Sequence, residues 1–472
     1  MSAAAIHRQH YNVTFALLAM AAVAYALLQS LVAPALLTIQ QDLDTTTTGA
    51  AWILTAYLLS ASVVTPIAGR LGDMFGKKRA LVTVLVILAF GTLLAALATS
   101  IGVMVVARVI QGAGGAVFPL AFAIIRDEFP IERVPHGIAL ISAIMGIGGG
   151  LGIVLAGPIV EHFSYHWLFW FPLVAIAVAT LGTVFFVPES PIKTPGRIDV
   201  PGAVLLAGWL VALLVAVSEG SSWGWTSGRT VGLLTAAAAL LVVWVRLEWR
   251  TRVPLVDMHM MRLPPVWKTN LAAFVFGYGM FASFVLVPQF VELPTSTGFG
   301  FGASVTEAGL FMLPATLGML VAGPISGRLS STVGSKVPLL LGALVSCLAF
   351  LMLAFAHTQD WQIYFAMLVM GIGIGFAFAS MANLIVESVE VTQTGVATGM
   401  NTIVRTIGGA IGSQVSAGIV TATVASTGLP TERGFTIAFA SCAVALAVAF
   451  LVALRIPAPV AAARNERILE AA

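Results

Sequence analysis

Charge is what this chain has least of. Only 9% of its 472 residues are Asp, Glu, Lys or Arg, where a soluble domain carries about 25%. That shortage excludes a soluble enzyme, sensor or scaffold as the bulk of the protein. The two cysteines, Cys347 and Cys442, lie inside apolar runs, which excludes a disulfide framework. His7, His10, His136, His162, His166, His259 and His357 all fall in loops or at the ends of apolar runs. With no His/Cys cluster, paired aspartates or Ser/His arrangement at depth, no metal, cofactor or catalytic centre is expected. The net charge of +3 is spread over short loops without interleaved aromatics, so nucleic acid is not an expected partner. The first apolar run has no small-residue cleavage site behind it and is expected to remain as a span. Lysine is scarce beside arginine, with much Ala, Val and Gly, a composition that suggests a GC-rich bacterial genome.

What the chain has in abundance is apolar sequence: 59% of it is hydrophobic. A bilayer core needs about 20 consecutive helical residues. Fourteen runs meet that length, roughly 13–37, 49–69, 80–99, 103–125, 138–160, 167–187, 202–218, 230–246, 267–291, 307–326, 337–356, 361–386, 395–421 and 434–455. The fold class is therefore an all-α polytopic membrane protein. Of 23 Lys and Arg, only Arg229 and Arg433 fall in loops on one side, and Arg108 and Arg405 fall inside runs. The rest lie on the other side, which the positive-inside rule makes cytoplasmic, with both termini there.

One hydrophilic stretch organises the rest. Gly69 to Arg79 reads GRLGDMFGKKR, a tight turn between spans 2 and 3. Arg70, Lys77, Lys78 and Arg79 would hold it at the cytoplasmic side. Gly69, Gly72 and Gly76 permit close backbone approach and positive φ. Asp73 is the odd member, because retention needs only cations; an acid here could cap the positive end of a neighbouring helix. The stretch recurs: Pro66 to Arg79 matches Pro324 to Val337 at an offset of 258, with Ser331 in place of Asp73. A duplicated half with one decayed copy is the pattern of a two-repeat transporter. The excess between the copies, about 199–262, then holds spans 7 and 8, giving six plus two plus six. The corresponding divisions are 1–12, 13–190, 191–262, 263–455 and 456–472.

Two arginines lie at membrane depth, where a cation costs about 2.5–3.5 kcal/mol on the mildest scale. Arg108 shares helical spacing with Gly112, Gly115 and Pro119, and Arg405 with Asn401, Gly408 and Gly412. Each set would place the cation and small residues on one face, looking into the space the helices surround. The alternative is a structural arginine bonded to carbonyls. Gln29, Tyr57, Gln111, Tyr278, Gln289, Asn383, Asn401 and Gln414 are further polar groups in spans, and no carboxylate is found deep in one. Span 5 carries GIGGGLGIVLAGP from Gly146 to Pro158; Gly148, Gly152, Gly157 and Pro158 read as a hinge, or as dense packing alone. Glu161 and His162 follow, as a pH-sensitive pair or a solvated loop. Asp42, Asp44 and Thr45 to Thr48, Ser304 to Glu307, and Asp360 read as helix caps.

GRLGDMFGKKR resembles the signature between helices 2 and 3 of the major facilitator superfamily. WILTAYLLSASVVTPIAG, just before it, is similar to span 2 of the fourteen-span drug:proton antiporter branch, the EmrB/QacA type. RIDVPG (Arg197 to Gly202) resembles that branch's lead into span 7. The resemblance implies two six-helix bundles with two extra central helices. It implies that Asp73 locks the halves at the cytoplasmic side; helix electrostatics place that contact at the free amides starting span 13 near Gly395, with Arg126 able to hold Asp73. RVIQGAGGA (Arg108 to Ala116) resembles the span-4 signature whose arginine is linked to proton coupling, and span 5 resembles the glycine-rich helix of antiporters. Two departures stand out. Glu161-His162 replaces the two glycines that usually follow, and Leu28, beside Gln29, stands where this branch usually carries a span-1 Asp. The implied function is export of lipophilic small molecules by alternating access, coupled to protons, by a monomer in the bacterial plasma membrane. The departures keep open the export or flipping of a lipid or endogenous metabolite without proton coupling.

Overall fold

The computed structural model describes residues 11–190, 193, 199–423 and 429–457. Among these residues fourteen helices are long and apolar enough to cross a membrane. Spans 1 to 7 are Tyr11–Ser30, Trp52–Phe75, Lys77–Ala96, Ile101–Glu128, Ile131–His162, Trp167–Phe186 and Val200–Trp223. Spans 8 to 14 are Gly228–Arg250, Pro264–Glu292, Thr306–Val333, Lys336–Phe355, Asp360–Ser388, Val391–Thr421 and Glu432–Leu454. Helical geometry satisfies the backbone within each segment, which a lipid interior demands. Large apolar side chains such as Phe185 and Phe355 stand outward, 72% and 73% exposed, as lipid-facing residues do.

Several boundaries differ from the sequence expectation. Span 1 stops at Ser30, short of 37; a turn containing Pro34 follows, then a short helix, Leu36–Asp42. Proline lacks the N–H that would continue the ladder. Span 4 is interrupted by a 3-10 segment, Gly112–Ala116, whose five consecutive small residues offer little side-chain packing to hold α winding. Spans 7 and 8 run on to Trp223 and Arg250. Glu219 and Glu248 therefore sit in the last turns of these helices and are buried, near the span ends rather than deep within them.

The caps are equally specific. Thr46 accepts the amide of Gly49 at 3.1 Å, and Ser304 with Glu307 forms a reciprocal capping box. Asp360 is not a cap: Gln359 takes that position, paired with Gln362. Asp199 caps span 7 through Gly202 at 3.0 Å; Arg197 and Ile198 of the same motif lie outside the described residues, as do 1–10 and 458–472 of the two expected tails.

Two large cores follow the duplication. One joins Leu18 through Val187, with Ala382 and Val386 reaching in from the second half. The other joins Ala272 through Ile456. A third cluster ties the extra helices to the second half: Leu206, Trp209, Leu210 and Trp244 pack with Val396, Met400, Ile403 and Ile407 of span 13. Span 7 also lies on span 2 through Leu59, Val63 and Ile67 of that cluster's fringe. It therefore covers one seam between the halves. Spans 5 and 10 form the opposite seam, in contact from Gly157 against Thr306 down to His136 against Gly327.

Candidate functional site

The site begins where the duplicated stretches meet the other half. Span 2 comes down on the first turn of span 13. A Cβ on Gly69 would stand 2.5 Å from the Gly395 carbonyl oxygen, and one on Gly395 would stand 2.7 Å from that of Gly69. Only two glycines allow this approach. It brings Asp73, 1% exposed, onto the free amides of span 13. Its Oδ1 accepts from Gly395 N–H at 3.3 Å and its Oδ2 from Val396 N–H at 3.2 Å.

Arg126 does not clamp Asp73 as expected; it crosses the seam itself. Its Nη2 donates to the Val389 carbonyl at 2.7 Å, and its Nη1 to Thr394 Oγ1 at 2.6 Å and the Glu390 carbonyl at 3.3 Å. Arginine's rigid fork suits several carbonyls at a helix C-terminus. Gly76, at φ +118°, turns the chain into span 3. Lys77, the next residue, is buried on Asp127 at 2.6 Å, and Ser190 donates to the same carboxylate oxygen. Arg70 is buried in the same region, while Arg79 pairs with Glu189 at 3.5 Å. Sequence reasoning did not name Asp127, Glu189 or Ser190. The available signal was an acid, Asp127, directly after Arg126 at the end of an apolar run.

The second copy occupies the related place on the same face. Gly327, the counterpart of Gly69, packs on His136 at the start of span 5: a Cβ there would meet His136 Cα at 2.9 Å. No acid stands at the position equivalent to Asp73, where Ser331 is exposed and bonds back to the Arg328 carbonyl. Asn383 crosses instead, donating to the Pro135 carbonyl at 3.3 Å.

The two deep arginines part company. Arg108 is fully buried among spans 2 and 4, with Nε on the Ile53 carbonyl at 3.1 Å and Nη1 on Gln111 Oε1 at 2.8 Å. Its guanidinium lies 4.1 Å from the Tyr57 ring centroid, and its Nη2 has no partner. Gln111 passes the chain to Thr92 at 3.3 Å. Arg108 lines none of three cavities at the centre of the molecule; the expectation that it faces the enclosed space is corrected, because the 3-10 segment turns Gly112 and Gly115 onto Ser60, Ala61 and Thr65 of span 2. Arg405 lines two of them.

The largest of the three, about 120 Å³, lies among spans 2, 7, 9 and 13, with Leu58, Leu214, Val217, Phe281, Ala410 and Gln414 in its wall. The second, about 50 Å³, shares Leu58, Phe281 and Thr406 with the first and adds Tyr25, Gln29, Tyr57 and Arg405. The third, about 10 Å³, holds Asn401, Phe378 and Arg405. Asn401 also donates to Asn270 Oδ1 at 2.9 Å. Leu28 is buried in the first core, while Gln29 beside it reaches the cavity.

Glu161 and Gln289, candidates for coupling or for the cavity wall, line none of these three cavities. Glu161 is exposed at the far end of span 5, accepting from Thr306 at 3.3 Å. Gln289 is exposed near the same end of span 9. Polarity in the sequence marked both but carried no direction. The expected hinge residues sit in an unbroken helix, Val134–His162. Gly148 and Gly152 pack on Ala26 and Ser30 of span 1, and Ser30 donates to the Gly148 carbonyl at 2.9 Å.

The family model of the Major Facilitator Superfamily matches residues 18–413. An uncharacterized MFS-type transporter of Mycobacterium tuberculosis is 30% identical over 397 residues, 82% of this chain and 56% of that protein; the chain spans little more than half of that relative's length. The tetracenomycin C resistance and export protein of Streptomyces glaucescens is 28% identical over 378 residues, 79% of this chain and 69% of that one. Multidrug resistance protein 3 of Bacillus subtilis is 26% identical over 351 residues, 74% and 67%. The crystal structure of the human organic anion transporter MFSD10 (TETRAN) superposes with a TM-score of 0.66 over 94% of this chain and 98% of that one, at 17% identity, a likeness of fold.

Proposed function

The chain belongs to the major facilitator superfamily, and from that premise we propose that it is a secondary exporter of lipophilic small molecules working by alternating access. The observation that carries the reading is the Asp73 contact with Gly395 and Val396, which ties the two halves on the face of the basic loops. The central cavities lie beyond that contact, toward the other face. With the basic loops in the cytoplasm, this is a conformation closed to the inside. Rocking the halves apart would break the contact and expose Arg405, Tyr57 and Gln29 to the cytoplasm. Relatives named for multidrug resistance and for tetracenomycin C export support an outward direction.

A proton is the coupling ion in this reading. A second reading, export or flipping of a lipid or endogenous metabolite without protons, is favoured by one observation: no carboxylate lines any of the three cavities. Uptake into inverted membrane vesicles, with and without an imposed pH gradient, over a panel of dyes, drugs and lipids, separates the two. Gradient-driven accumulation supports the antiporter. Accumulation that ignores the gradient supports the second reading, and no accumulation of any compound by well-expressed protein overturns export altogether.

A further inference from the structure

Arg405 is a buried cation without a counter-ion. Its side chain is 7% exposed, and among the described residues no carboxylate pairs with it. Its Nη2 reaches the Met145 sulfur at 3.9 Å, a weak acceptor, its guanidinium rests 4.2 Å from the Phe378 ring centroid, and the Tyr25 phenol lies in the same wall. A charge removed from water in this way is destabilising unless something pairs it. Arg405 lines both the second and the third cavity. Tyr57, in the wall of the second, is 1% exposed, and its ring lies 6.3 Å from that of Tyr25, whose hydroxyl neighbours its own. A charged donor without a counter-ion and a pair of phenol hydroxyls thus line one cavity.

We infer that this space binds the acid group of an amphiphilic monoanion, a carboxylate or sulfonate on a lipophilic body. The inference rests on the exporter reading only for its biological meaning, not for its chemistry. The second cavity, about 50 Å³, is the head-group site; a water needs roughly 10–15 Å³ of such space, so an acid group fits where three or four waters would. The first cavity shares Leu58, Phe281 and Thr406 with it and carries no charge, with Leu214 and Val217 of span 7 in its wall. It takes the lipophilic body. The extra span thereby becomes part of the specificity surface. A cationic drug would be repelled by Arg405, and a neutral one would leave the guanidinium unpaired.

The test is equilibrium binding to purified, detergent-solubilised protein by scintillation proximity, with tritiated 1-naphthaleneacetate and its neutral isostere 1-naphthaleneacetamide. The expected result is saturable binding of the acid, about tenfold or more tighter than the amide, as a charge-assisted bond allows. In Arg405→Gln the two probes should bind alike. In Arg405→Lys part of the preference should survive, which separates lost charge from lost fold. Equal affinities in the native protein, an unchanged preference in Arg405→Gln, or no saturable binding of the acid overturns the inference. Binding is read without turnover. A protein that prefers the acid yet moves nothing would sink the exporter reading alone, and one that exports neutral compounds without preferring the acid would sink this one alone.

Discussion

Asp73 and Gly395 stand 322 residues apart in the chain and 3.3 Å apart in space, a carboxylate oxygen on a backbone amide across the seam between the two halves. The acid comes from the turn that ends span 2 and the amide from the first turn of span 13. A carboxylate at a helix N-terminus contributes about 0.3–1 kcal/mol when exposed and up to about 2 kcal/mol when partly buried. Asp73→Asn keeps the shape and removes the charge. We expect the variant to reach the membrane in normal amount and to transport several-fold more slowly, because the closed state of the basic face is destabilised. Vesicle transport normalised to protein abundance is the check, and native turnover would reject the lock.

The glycine pair beneath that contact makes a sharper prediction. In Gly69→Ala the added methyl meets the Gly395 carbonyl at 2.5 Å, and the obstacle is backbone that no rotamer change moves aside. The seam should be wedged apart, so that cysteine reagents applied from the side of the basic loops reach a Thr398→Cys probe in this background faster than in the Gly69 parent. Gly102→Ala is the control, since a Cβ there meets nothing within 4 Å. Equal labelling of the two glycine variants would show that the approach is not restrictive.

Lys77 and Asp127 form a buried pair at 2.6 Å, their side chains 1% and 0% exposed. Removing one partner leaves the other charge buried and alone, a loss of about 3–5 kcal/mol. Lys77→Met should lower the melting temperature of the solubilised protein and its membrane abundance. The double variant Lys77→Met with Asp127→Leu should recover most of both, because an apolar pair leaves no orphan charge. A double variant as unstable as the single one would assign the loss to packing instead.

Run length alone was enough to place the fourteen spans, because an apolar run of about 20 residues fits a helix across lipid and is twice what a barrel strand needs. The end of span 1 was not legible. Pro34 sits among apolar residues, so hydropathy carries through a break that backbone chemistry imposes. The Asp73 contact was approachable from sequence, since an acid in a basic turn and a glycine at a helix start are both local signals. The arginines show where that ends. Arg108 and Arg405 give the same sequence signal, a cation followed by spaced glycines, yet one is sealed against Ile53 and Gln111 and the other faces a cavity. The difference lies in the 3-10 segment Gly112–Ala116, whose winding no residue pattern announced.

That difference is itself testable. Arg108 holds Tyr57 under its guanidinium and fixes Gln111, so it acts on the cavity through Tyr57. Arg108→Lys loses the fork that reaches two acceptors and should lower turnover for every substrate by a similar factor. Arg405→Lys keeps a charge in the cavity and should change the ranking of substrates instead. Transport of an acid and its neutral amide by each variant decides the matter. A ranking change in Arg108→Lys with none in Arg405→Lys would exchange the two roles.

The second copy of the signature supplies the last prediction. Gly327 packs on His136 much as Gly69 packs on Gly395, so the two seams share a frame. They differ in the residue four positions on: Asp73 is 1% exposed, and Ser331 is exposed to water. An acid placed at 331 would be solvated rather than aimed at amides, and a solvated cap is worth a few tenths of a kcal/mol. Ser331→Asp should therefore be close to neutral for transport and abundance, and it should not rescue Asp73→Ser, which carries the second copy's residue at the first copy's place. Rescue would mean that the seams are interchangeable and that burial of Asp73 is not what gives it hold. Failure of rescue, with Asp73→Ser slow and Ser331→Asp at native rate, would locate the lock in one repeat, where a buried carboxylate and two unpaired amides meet.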